Sequence, residues 1–305
     1  ISSYNTVKIG IYHNDISRNL LGITMNGCQR SKIKSNIINN NVAAGVFLMD
    51  CYINTINNND IIYSESISGA NGIFLQACGN NQINFNTILG CYFEGIKIIE
   101  SGRSTIMENL IVGCSSSPAI SIYSSGTSKI RNNFINDCFK GIYIIESDPS
   151  FVEDNVIDNC NAFGIELIDL GPSRINRNEI TRCDYGIVIK NTGKSDICDN
   201  TIKWTETGLM VINSPRSDII GNDIDRASWN CVLIQSSDLT EINKNYLSNC
   251  PENGFYLIGS DRCEIIENNL YRCSENAIYL KDSSDCMIKG NYFDWIQWNG
   301  IHLSN

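Results

Sequence analysis

The sequence predicts an all-β fold: a single parallel β-helix of about 13 coils, each coil carrying three short strands. Three observations predict it. An asparagine recurs thirteen times, from Asn14 through Asn133 to Asn291, in steps of 22 to 24 residues with one step of 27 between Asn59 and Asn86. The residue three before it is isoleucine in twelve coils and Val152 in the other; the residue two after it is isoleucine in ten, with Leu247, Leu270 and Phe293 as the exceptions. Between asparagines a Gly or Ala opens an alternating apolar run, as in Gly141, Ile142, Tyr143 and Ile144, which has the period of a strand.

Each element of the coil follows. Ile142 and Ile144 turn one way and Tyr143 the other, giving a first strand. Ile130 before Asn133 belongs to a second, and Ile135 after it to a third. Asparagine suits the turn between them, because it tolerates left-handed backbone and its amide can bond along a stack. Coils stacked ~4.8 Å apart align equivalent residues into ladders. The isoleucine columns then supply most of the stability by leaving water. A 3.6-residue period is missing, so no helix is expected. A leucine-rich repeat shares the period but asks for apolar residues five and eight before the asparagine. Here those places hold Ser128 and Ser125, or Ser217 and Ser214. β-branched isoleucine also favours strand over a helical return arm.

The pairing of Ile130-x-x-Asn133-x-Ile135 with Gly141-Ile-x-Ile-x-x-Ser147 resembles the right-handed parallel β-helix repeats of the carbohydrate-binding and sugar-hydrolase group. That group includes periplasmic copper-maturation proteins of the nitrous oxide reductase system and shares its fold with pectate lyases and alginate epimerases. The resemblance covers essentially the whole chain and implies a right-handed coil. It specifies fold far better than activity, because the motif residues are those that build the coil.

Length and composition bound the rest. The repeat crosses all 305 residues without a break, so one β-helix domain over 1–305 is expected. A net charge of −10 without a run of Lys or Arg argues against nucleic acid or an anionic membrane as partner. No apolar run reaches the ~18 residues of a membrane span. The chain opens on Ile1 and closes on Asn305 at matching points of the coil, with no helical cap. The expectation is therefore a longer chain or rods associating end to end, since open strand edges invite pairing. Most of the 14 cysteines keep the register, Cys91, Cys114 and Cys138 five residues after the asparagine and Cys28, Cys51 and Cys78 eight before. They read as small buried ladder residues, with disulfides between neighbouring rungs geometrically open.

Chemistry is sparse. Only two histidines occur, His13 and His302, and the polygalacturonase signatures Asn-Thr-Asp, Asp-Asp, Gly-His-Gly and Arg-Ile-Lys are missing, as is the Asp-Pro-His of an alginate epimerase. Counting from each coil's glycine, the fifth position brings Glu146 and Asp169 one rung apart, with Glu166 and Lys190 on the same face. Like charges at that distance share a proton, bind a cation or splay into solvent. These four are the candidate catalytic residues, and Glu146 with Asp169 the candidate calcium ligands; no cofactor is otherwise required. The bland alternative is a solvated polar patch. The outward second position carries Phe47, Phe74, Tyr143, Val188, Met210, Val232, Tyr256 and Tyr279, and the fourth includes Met49, Tyr123 and Ile234. An apolar stripe of this length marks a covered surface or a binding site, and Phe47, Phe74, Tyr123, Tyr143, Met210, Tyr256 and Tyr279 are the expected ligand contacts. The segment Tyr63–Asn71 is the one notably enlarged loop; enzymes of this fold usually wall their clefts with long loops, so the near absence of loops counts against catalysis.

The leading expectation is a secreted, surface-displayed or periplasmic structural or adhesive solenoid whose strand face binds a glycan or another protein chain. The alternative is a polysaccharide lyase, glycoside hydrolase or uronate epimerase working in a groove on that face.

Overall fold

The computed structural model describes residues 1–63 and 70–305. The chain is an all-β, right-handed parallel β-helix of about 13 turns, with its strands in three parallel sheets. No helix occurs among the described residues. A representative coil runs through Pro118–Tyr123 in the first sheet, Ser128–Arg131 in the second and Phe134–Asn136 in the third. Residues 64–69 of the enlarged segment lie outside the described residues. The chain divides into two compact units, Ile1–Phe151 and Val152–Asn305.

Within each unit every third strand pairs in register. In the first unit Phe47 faces Phe74, Lys97 faces Ser121, and Ser121 faces Tyr143. In the second, Glu166, Val188 and Met210 form one column and Tyr256, Tyr279 and His302 another. Isoleucines on the opposite side of these strands, such as Ile98, Ile122 and Ile189, are fully buried. The alternation read from the sequence is thus the in-out alternation of the sheet.

The corners are built from a repeated pair of residues. A left-handed residue comes first, followed by a residue whose side chain turns into the coil. Glu100, Glu108 and Gly113 take φ of 49°, 53° and 80° and precede Ser101, Asn109 and Cys114. The asparagine itself is not the left-handed residue, contrary to expectation; its predecessor is. Left-handed backbone at the predecessor turns the chain from the second sheet into the third and leaves the asparagine amide inside, where it meets main-chain groups. Asn109 donates through Nδ2 to the carbonyls of Ile83 at 2.9 Å and Met107 at 3.0 Å, and its Oδ1 accepts the backbone N–H of Asn86 at 3.0 Å. Few side chains can donate and accept at once in this way, which is why the position is asparagine.

The coil's glycine is a packing residue. A Cβ on Gly95 would stand 2.6 Å from Ile111 Cγ2 and 2.8 Å from the Ala119 carbonyl oxygen. It would also lie 3.3 Å from Cys114 Sγ, and Gly72 meets Cys91 and Gly254 meets Cys273 in the same way. Cys231 occupies the glycine position of its own coil and forms a disulfide with Cys250. The bond closes within one coil rather than between rungs. The other cysteines are thiols, ten of them buried, as a ladder role requires.

That replacement also corrects the register expected there. Val232 pairs with Leu209 and Leu233 with Met210. Val232 and Ile234 therefore face the core, fully buried, and Leu233 and Gln235 take the outward positions. The misreading arose because the coil has Cys231 where glycine would have marked its start.

Candidate functional site

The outer face of the first sheet carries the polar and aromatic side chains that the coil does not need. In the first unit its centre is Lys97, on the strand Ile96–Ile99 with Ile96 and Ile98 turned into the core. Two residues earlier the chain bends at Gly95, and this bend keeps Glu94 on the outer side. The Lys97 ammonium lies 3.0 Å from the Glu94 carboxylate. Ser121, on the next rung and fully buried, donates to the same carboxylate at 3.5 Å. Glu94 is only 6% exposed. A buried carboxylate is costly unless paired, and a buried pair adds little net stability over apolar residues of similar volume. Stability alone therefore does not account for this one.

Aromatic rings surround the pair. Lys97 Nζ sits 5.8 Å from the Phe74 ring centre and 5.7 Å from that of Tyr123, within cation–π range. Phe47 and Phe74 lie 5.1 Å apart, and Tyr123 meets Tyr143 edge to face at 5.7 Å. Burial pushes the Tyr123 phenol above the usual tyrosine range, and the charge of Glu94 adds to the effect. Tyr123 is consequently a protonated donor at neutral pH. Glu146 is exposed at a left-handed corner and receives a hydrogen bond from the Ser124 hydroxyl at 3.3 Å.

The second unit has a comparable group. Glu166 is nearly buried, with its carboxylate 3.7 Å from the ammonium of Lys190. Lys190 lies over the ring of Phe163, which stacks on Tyr185 at 5.1 Å. Asp169 is exposed at a left-handed corner, where the Asn191 amide donates to it at 2.9 Å. Met210 is half-buried. Further along, Tyr256 and Tyr279 stack nearly parallel at 4.8 Å, and Tyr279 meets His302 at 4.6 Å. In that unit the structure joins Glu166 with Lys190 and stacks Tyr256 on Tyr279. Of the expected catalytic four, Glu146 belongs to the first unit and the other three to the second.

Sequence reasoning passed over Glu94, Phe163 and Tyr185. All three stand immediately before a coil's glycine, a position that alternation assigns to neither face. The bend at glycine decides that they point outward. A cue was available: this position also holds Asn230, Asn253 and Asn276, whose side chains form a second amide ladder.

A family model described as "Periplasmic copper-binding protein (NosD)" matches residues 1–136 and 115–228, and one described as "Right handed beta helix region" matches 185–305. No curated protein matches the chain. Among solved structures, a DFA-IIIase from Arthrobacter chlorophenolicus is similar at 13% identity and TM-score 0.64, over 85% of this chain and 83% of that one. A periplasmic alginate epimerase is similar at 13% and 0.65, over 85% and 76%. The A-module of a mannuronan C-5 epimerase from Azotobacter vinelandii is similar at 10% and 0.51, over 94% and 91%. At these identities the likeness is one of fold. A periplasmic or extracellular location accords with the family description and with the periplasmic epimerase. Among the described residues no helix is long and apolar enough to cross a membrane.

Copper is implied by the family description, and copper sites favour thiolate, thioether and imidazole donors. Here the ladder thiols already donate to main-chain carbonyls, as Cys51 does to Met49 at 3.1 Å. Among the described residues no group of three or more His, Cys, Asp or Glu could hold a metal ion. The described residues do not fit a copper site of that kind.

Proposed function

The chain belongs to the family of periplasmic copper-binding proteins (NosD), and within it we propose that this member acts on a polysaccharide at the outer face of its first sheet. The observation that carries the reading is the nearly buried Glu94 carboxylate held between Lys97 and Ser121, with the Tyr123 ring centre 5.7 Å from the Lys97 ammonium. The fold shared with carbohydrate-acting enzymes supports it. A single carboxylate beside an ammonium suits proton transfer next to a uronate carboxylate better than hydrolysis, which uses two carboxylates flanking the bond. In this reading Lys97 holds the sugar carboxylate and Glu94 takes the proton from the adjacent carbon. Tyr123 then protonates the carbanion, giving epimerisation, or the departing glycosidic oxygen, giving elimination. Glu166 and Lys190 offer the second unit the same pairing. Phe47, Phe74, Tyr143, Met210, Tyr256 and Tyr279 supply flat apolar contacts for sugar rings. Glu146 and Asp169, exposed at corners, are proposed to hold sugar hydroxyls or calcium.

The test uses alginate and polygalacturonate as substrates. Unsaturated ends are followed by ultraviolet absorbance and inverted residues by proton NMR. Activity in the parent that disappears in Glu94→Gln and Lys97→Met supports the reading. An inactive parent that still binds these glycans through Tyr143 and Tyr279 returns the protein to the adhesive reading, which the Tyr256–Tyr279–His302 ring stack favours. Calcium is tested by titration calorimetry on the parent, Glu146→Gln and Asp169→Asn.

A further inference from the structure

The chain's charge is unevenly divided. Residues 1–151 hold 10 Lys and Arg against 10 Asp and Glu, whereas residues 152–305 hold 13 against 23. Seven of the ten cations in the first unit, among them Arg30, Lys32, Lys34, Arg103 and Lys129, fall on the second-sheet side of their coils or its entry corner. Arg30, Lys32 and Lys34 fall within five residues of one coil, whereas Arg103 and Lys129 lie three and four repeats further along the sequence. Register sets two of them in one line: Lys32, Thr55, Gln82, Thr105 and Lys129 form one outward row across five successive coils, with a lysine at each end.

A groove of about 430 Å³ opens at the end of that row. Arg103 and Lys129 line it with Gln82, Thr105, Thr127 and Phe151, and no lining residue is acidic. Arg103 and Lys129 are exposed. The corner residues preceding Asn80, Arg103 and Thr127 are Gly79, Gly102 and Gly126, which carry no side chains to fold over the rim. On the neighbouring rung, by contrast, Tyr52 occupies that column, and a Cβ on Gly79 would lie 2.9 Å from its ring.

We propose that this groove on the second sheet of the first unit binds an acidic oligosaccharide. Each part of the lining suits such a ligand. The Arg103 guanidinium can grip a carboxylate or sulfate through two parallel hydrogen bonds, and Lys129 offers a second cation one rung away. Gln82, Thr105 and Thr127 present an amide and hydroxyls to sugar hydroxyls. Phe151 provides a ring for the apolar face of a sugar. A nucleic acid would call for a denser stripe of cations than two flanking a neutral row. The groove lies on a different sheet from Glu94 and Lys97, so it would hold a glycan without taking part in chemistry on the first sheet.

The test measures binding of an oligogalacturonate of about ten sugars to the full chain by calorimetry, at low salt and near 0.5 M salt, where exposed charge pairs are screened. Dextran oligosaccharide and single-stranded DNA are the controls. Saturable binding that weakens with salt and falls about tenfold or more in Arg103→Ala/Lys129→Ala is the expected result, a charge-assisted hydrogen bond being worth about that much. Phe151→Ala lowers it as well, and Lys289→Ala, at an exposed cation outside both sites, leaves it at parent strength. Thermal melting of each variant checks folding, and the conservative pair Arg103→Gln/Lys129→Gln replaces any that melts early. Equal binding of DNA makes the groove a nonspecific anion surface and overturns the proposal. So does binding unchanged by the Arg103 and Lys129 substitutions, or no binding at all. Loss in Lys97→Met alone would assign binding to the first sheet and leave the groove without a ligand.

Discussion

Cys250 is disulfide-bonded to Cys231, nineteen residues earlier in its own coil, at a place where other coils carry glycine or alanine. The same spacing separates Ala119 from Cys138. Ala119 already has a Cβ at that position, so a cysteine there adds only a sulfur facing the Cys138 thiol. Ala119→Cys should therefore oxidise in air to a second bridge. Closing a loop of about 20 residues stabilises a fold by about 3 kcal/mol in the chain-entropy account. Thiol titration in denaturant checks the bridge, and melting with and without reductant checks its effect. A variant that shows one more thiol than the parent after oxidation would rule the pairing out.

The asparagine ladder makes a sharper demand than the isoleucine columns. Replacing Asn109 by alanine strands the N–H and amide of Asn86, together with the carbonyls that Asn109 served. Buried groups left unsatisfied cost about 1–3 kcal/mol each before any relaxation, so a loss of about 2–4 kcal/mol is expected. Surface Ser116→Ala, at an exposed turn residue without left-handed backbone, should change stability by no more than about 0.5 kcal/mol. Urea unfolding midpoints compare the two, and similar values for both would mean that the ladder is ornamental.

Tyr63 makes stability fall at high pH. Burial pushes its phenol far above the usual tyrosine range of about 10, with Cys91 adding to the shift. Its hydroxyl donates to the Asn71 carbonyl at 2.9 Å. The folded state keeps this proton while the unfolded chain releases it near pH 10. The contribution is thus complete below pH ~10 and lost as pH rises beyond it. Tyr63→Phe should melt with a flatter pH dependence between pH ~9 and ~11 than the parent. Parallel curves would place the alkaline loss elsewhere.

Thiol reactivity should single out Cys286. The neighbouring Cys263 thiol hydrogen-bonds it and lowers its pKa to about 7, and it is partly exposed. Cys198 is also partly exposed, but burial of its thiol and the charge of Asp196 raise it to about 11. Iodoacetamide at pH ~8 should label Cys286 first because only the thiolate reacts, and label Cys198 slowly. Peptide mass mapping of the native protein checks the order, and early labelling of Cys138 or Cys114 would contradict the buried ladder.

Much of the fold is legible in one dimension because a solenoid repeats its contacts at a constant offset. Ile130, Asn133 and Ile135 announce their coil as plainly as Ile175, Asn178 and Ile180 announce theirs. The reading slipped where the marker changed, at Cys231, since a one-residue shift exchanges the faces of Val232 and Leu233. The site was less legible. Lys97, Tyr123 and Tyr143 stood out as outward residues, but nothing in the sequence tied Glu94 to them. That link depends on a bend at Gly95 and on contact between Ser121 and Glu94, residues 27 apart.

The sequence by itself determined the all-β repeat, its period, its apolar columns and its asparagine ladder, because those rest on local alternation and on stacking of like upon like. Only the tertiary structure decided which charged residues become neighbours. Lys97 with Glu94, Glu166 with Lys190, and the row from Lys32 to Lys129 all depend on side-chain direction and on register between coils. A side chain's exposure and partners are set by what lies one rung away, and that distance does not appear in a linear string.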